Sequence, residues 1–108
     1  MKWIKKGLIL SQAASRTHGL TNTQVPFAVE LDGKIRVFFG AREKSGGPAD
    51  IHFMDVDPNN PADILHFQKT PVLSRGTTGC FDQDGVLRVC VKKADDRYFL
   101  YYGGFSKL

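Results

Sequence analysis

The sequence is poor in the features that mark membrane, metal and nucleic-acid proteins. Its apolar stretches, such as Gly7-Leu8-Ile9-Leu10, fall far short of the about 20 residues needed to cross a bilayer. That patch is also too short for the apolar region of a secretory signal, despite the basic opening "MKWIKK". No membrane partner is expected, and a cytoplasmic location is the simplest reading. The only two cysteines, Cys80 and Cys90, lack paired C-x-x-C spacing, so two buried free thiols are expected rather than a zinc site. Fifteen basic and 11 acidic residues give a net charge of +4, but no basic run exceeds the pairs Lys5-Lys6 and Lys92-Lys93. A nucleic-acid face would be denser, so no nucleic-acid partner is expected.

Long amphipathic helices are missing too. Apolar residues alternate or come in short β-branched and aromatic runs, separated by Gly, Pro, Asn and Asp. With 42% apolar residues and eight Phe, the chain is a folded all-β protein with one core. Strands are expected at 3–10, 25–31, 34–41, 50–56, 64–69, 86–92 and 97–103. Asp32-Gly33 joins the second and third as a type I′ hairpin, whose positive φ angles suit those residues. "DPNNPAD" (57–63) is a loop, because Pro58 and Pro61 lack backbone donors.

Two segments repeat. "VPFAVELDGKIRVFFGA" and "VLRVCVKKADDRYFLYYGG" each run strand, acidic turn, then an aromatic strand ending in Gly. Val25 aligns with Val86 at a spacing of 61, and Phe38-Phe39-Gly40 with Tyr101-Tyr102-Gly103 at 63, so the second turn is expected to be two residues longer. With room for two strands between the copies, the pattern is that of four-stranded antiparallel propeller blades.

The ordered set "MKWIKKGLIL", "THGLTNTQVPFAVELDGKIRVFFGARE", "IHFMDVDPNNPADIL", "PVLSRGTTGCFDQDGV" and "YFLYYGGF" resembles five-bladed β-propellers of the glycoside-hydrolase type. These are related to families 43 and 32, and the likeness is strongest to glycosidase-like proteins of polysaccharide biosynthesis. The resemblance implies one and a half to two blades: an N-terminal strand and loop (1–24), a first blade (25–75) and the start of a second (76–108). A whole propeller of that type needs about three times this length. Unclosed blade edges should then make the chain associate with itself or leave it only marginally stable.

The resemblance implies a carbohydrate partner and a sugar-binding mouth where strand ends meet. His18, Asn22 and Gln24 precede the first inner strand, Arg42 and Glu43 follow its partner, and Asp82 and Asp84 precede the second inner strand. Asp82, Arg42, Glu43, His18 and Gln24 are the candidate substrate-binding residues, with Asp82 paired to Arg42 or bonded to sugar hydroxyls. Catalytic residues do not carry over. The acids that family 43 places before its inner strands are represented by Val25 and Leu87, and neither can take a proton.

The run Asp82-Gln83-Asp84-Gly85 has other readings. An EF-hand loop counted from Asp82 would need a ligand at Val86, Gly at Leu87 and Glu at Lys93, so it fails. A D-x-D transferase motif matches only in its letters, because the chain lacks the α/β pattern that motif sits in. The plainer alternative is structural: an acid accepts backbone N–H bonds while Gly85 supplies positive φ before the next strand. Neither metal nor cofactor is expected.

Overall fold

The structure, a computed structural model, describes residues 1–107. Six strands follow one short helix: α1 (Gln12–Thr17), β1 (Thr21–Leu31), β2 (Lys34–Arg42), β3 (Asp50–Val56), β4 (Ile64–Leu73), β5 (Gly85–Ala94) and β6 (Arg97–Phe105). β1 to β4 form an antiparallel sheet in chain order, and β5 and β6 form a separate hairpin sheet. The prolines obey this layout. Pro26 and Pro71 fall on β1 and β4, the two edge strands, where a missing ladder donor costs least.

Each face of the four-stranded sheet builds its own core, so the expected single core is corrected to two, because both faces of β2 and β3 are covered. Val37, Phe39, Ala41, Met54 and Val56 share one face with Leu20, covered in part by Ile9 and Leu10. Phe38 and Ile51 on the other face pack against Val86 and Val89 of β5, with Phe27, Phe53, Val91 and Leu100 around them. Strand alternation on β2 thus sends neighbouring phenylalanines into different cores. At the hairpin end of the second face Asp55 is buried, bound by Arg36 through Nε (2.8 Å) and Nη2 (3.0 Å) and by Lys34 at 3.1 Å. These cations, the Arg36 hydrogen bond first, hold the Asp55 carboxyl below its ordinary pKa.

The expected strand over 3–10 is not formed. The segment pairs with no strand among the described residues, and Trp3 is 87% exposed. The nearest edge, β1, has a broken register around Pro26 and offers no continuous ladder. A helix follows instead. Ser11 caps it by accepting the Ala14 N–H at 3.0 Å, and Gly19 leaves it at φ 79°. Six residues are too few to leave a readable helical period.

The repeat is present with a corrected register. Gln24 pairs with Gly40, Phe27 with Phe38, and Leu31 with Lys34. Leu87 pairs with Gly103, Cys90 with Tyr101, and Ala94 with Arg97, each 63 residues further on. Both turns therefore hold two residues, and the expected longer second turn is wrong. Each first strand carries a bulge at the same place, with Val25 (φ 52°) in one and Arg88 (φ 61°) in the other. Val25 thus corresponds to Arg88, not to Val86 or Leu87. The type I′ turn is also corrected: of Asp32 and Gly33 only Gly33 has positive φ, at 73°.

Candidate functional site

Antiparallel strands bring alternate ends together. The start of β1, the end of β2, the start of β3 and the segment after β4 lie at one end of the large sheet, and the start of β5 and end of β6 meet them there. A cleft of about 580 Å³ opens at this seam. Asn22, Arg42, Arg75, Gln83, Asp84 and Lys107 supply its polar wall, and Phe105 an aromatic surface.

The loop before β5 is tied down from inside. Asp82 is buried, and its Oδ1 accepts the Gly76 N–H at 3.1 Å. Tyr102 Oη lies 3.5 Å from its Oδ2. A Cβ on Gly76 would overlap Oδ1, and one on Gly104 would overlap the Asp82 Cβ. Asp84 Oδ2 accepts the Lys107 N–H at 2.6 Å, and Gln83 accepts the Gly79 N–H at 2.6 Å. Gly85, at φ 152°, turns the chain into β5. The acids therefore accept backbone N–H groups ahead of a glycine, as the structural reading of the motif requires.

The five candidate residues divide. Arg42 lines the seam cleft and donates to the carbonyl of Gly47. Asp82 lies beneath the same loop rather than on the cleft wall, and the expected Asp82–Arg42 pair is not formed. Glu43 lines the adjoining groove with Lys44, Asp50 and Arg75. Gln24 lines an apolar hollow with Leu8, Ile9 and Phe39. His18 stacks on Phe67 at 3.8 Å, because α1 folds it over the face opposite β5.

Strand parity alone would have added Arg75 and Lys107, which follow β4 and β6 where Arg42 ends β2. Arg75 is held from behind by Asp50, whose Oδ1 accepts its backbone N–H at 2.9 Å and whose Oδ2 lies 3.4 Å from Nη1. The cysteines also depart from expectation. Cys80 and Cys90 are free but exposed, Cys80 in the loop before β5 and Cys90 on the uncovered face of the hairpin sheet. Among the described residues no group of three or more His, Cys, Asp or Glu side chains is placed to hold a metal, and no helix is long and apolar enough to cross a membrane.

Comparison with known proteins gives two relatives, both described as uncharacterized proteins of Mycobacterium tuberculosis, from strains CDC 1551 / Oshkosh and ATCC 25618 / H37Rv. Each is 28% identical over 107 residues, which is 98% of this chain and 36% of the relative. The chain thus spans about a third of the length of the curated relatives it matches. No protein-family model and no solved structure matches it.

Proposed function

We propose that the chain is a run of β-propeller blades, glycosidase-like in kind, that binds carbohydrate at the seam between its two sheets. The observation that carries this reading is the direction of stacking. The face of β5–β6 bearing Val91 and Leu100 corresponds, 63 residues on, to the face of β1–β2 bearing Ala28 and Val37, and it packs on the opposite face of the first sheet. Units that stack like to unlike continue in one direction, as blades do. The lengths agree: 107 residues at 36% puts the relatives near 300 residues, room for between four and five units of 63.

The seam cleft has the composition a sugar needs, with amides, a carboxylate and guanidinium groups for hydroxyls and an aromatic surface for a ring face. The role assigned to it is binding. Hydrolysis needs two carboxylates facing each other across the glycosidic bond, whereas Asp84 is the one acid lining the cleft among the described residues. The test is glycan-array binding by the chain and by a longer reading frame carrying it. Binding that is lost in Asn22→Ala and in Asp84→Asn supports the reading; binding untouched by both moves the site elsewhere.

A non-catalytic interaction module is favoured by one different observation. The outer face of β5–β6 carries Phe99, 45% exposed, and Tyr101, 60% exposed, where the matching face of the first sheet is covered. On that reading the chain forms oligomers through this face. Analytical ultercentrifugation would then give assemblies that Tyr101→Lys dissociates and that have no affinity for sugar.

A further inference from the structure

Arg36 and the seam cations differ in how they are held. Arg36 is closely paired: two of its nitrogens bind Asp55, and its guanidinium lies 3.9 Å over the Phe53 ring. The cations at the seam are not. Arg42 donates to a single backbone carbonyl, and neither it nor Lys107 forms an ion pair among the described residues. Arg75 keeps one 3.4 Å contact to Asp50 with its side chain 40% exposed. A guanidinium carries five donors, so most of those at the seam have no acceptor among the described residues. Among the described residues only Asp84 lines the same cleft with opposite charge, and its Oδ2 already accepts the Lys107 N–H.

We propose that the seam cleft contains an oxyanion subsite, formed by Arg42, Arg75 and Lys107, that receives the carboxylate or phosphate of an acidic sugar. The sugar part of this rests on the carbohydrate reading above; the anion part does not. Three cations that line one cleft, from the end of β2, the segment after β4 and the segment after β6, can supply bidentate and single charge-assisted bonds to an oxyanion. Asn22, on the same wall, is left to meet hydroxyls, whereas Gln83 already accepts the Gly79 N–H and lies 3.4 Å from Asp84 Oδ2.

The experiment is an amide NMR titration of the chain with glucose 6-phosphate, glucuronate, glucose and inorganic phosphate. The acidic sugars are expected to shift Asn22, Gly46, Gly47 and Lys107 at concentrations roughly tenfold lower than glucose, an advantage that salt erodes. Arg42→Gln and Lys107→Gln should each weaken that binding roughly tenfold. Lys92→Gln removes the same charge from the exposed face of β5 and should not. Glucose binding as tightly as the acidic sugars overturns the subsite and leaves the carbohydrate reading standing. Inorganic phosphate binding as tightly as glucose 6-phosphate, with glucose inert, keeps the subsite and ends the carbohydrate reading. Equal weakening by Lys92→Gln, or a dispersed spectrum in which no probe moves the cleft amides, overturns the proposal.

Discussion

The hairpin of β1 and β2 and the hairpin of β5 and β6 share a register, a bulge and a two-residue turn, yet Phe38 is 9% exposed and its counterpart Tyr101 is 60% exposed. The difference lies in what surrounds them. β2 has β3 beside it and β5 across its face, so both of its faces enter cores. Among the described residues β6 has only β5 as a neighbour, and one face of that hairpin is uncovered. Local sequence sets the hairpin, while neighbours decide how much each side chain stabilises it.

Matched substitutions should expose that contrast. Phe38→Ala is expected to cost about 3–5 kcal/mol, because it empties a core position, whereas Tyr101→Ala should cost less than about 0.5 kcal/mol. Urea melts of the two variants measure the gap, and similar midpoints would mean that the seam core is not formed. Asp55→Ala should cost about 1–3 kcal/mol by leaving the half-buried Arg36 without its acceptor. Since the Asp55 pKa is lowered on folding, its contribution is complete above the ordinary value of 3.8 and is lost as pH falls through the lower folded value. The variant and the parent chain should therefore converge in strong acid.

The glycines at equivalent positions should separate less widely. A Cβ on Gly40 would overlap Leu87 Cδ2, while one on Gly103 meets the Leu87 carbonyl at an ordinary 3.4 Å. Gly40→Ala is expected to cost about 1–3 kcal/mol and Gly103→Ala to change little, as thermal melts would read. The smallest effect concerns His52, buried on β3 against Phe39 with Nδ1 unpaired. Burial lowers its pKa on folding, so the unfolded chain takes up the proton first as pH falls below about 6.5. Stability should decline over that window, and His52→Leu should flatten the slope.

Much of this fold can be read in the sequence, since alternation and Asp-Gly punctuation locate all six strands that form. The bulges cannot be read so easily. One extra residue at Val25 or Arg88 leaves the letters unchanged but reverses which face follows. Matching Val25 to Val86 by residue type therefore missed the register that Phe38 and Tyr101 keep. The site divides for a similar reason: Arg42, Asn22 and Asp84 follow from strand parity, while α1, too short to be read in the sequence, carries His18 to the opposite face. Arg75 and Lys107 obey parity as well, but they lie outside the motifs that drew attention to the others.

Cross-strand NOEs in β5–β6 test the repeat that builds the seam. Backbone contacts of Cys90 with Tyr101 and of Leu87 with Gly103 are expected, with Arg88 bulged between them. Contacts that run without a bulge, or that close the hairpin with a four-residue turn, would contradict it.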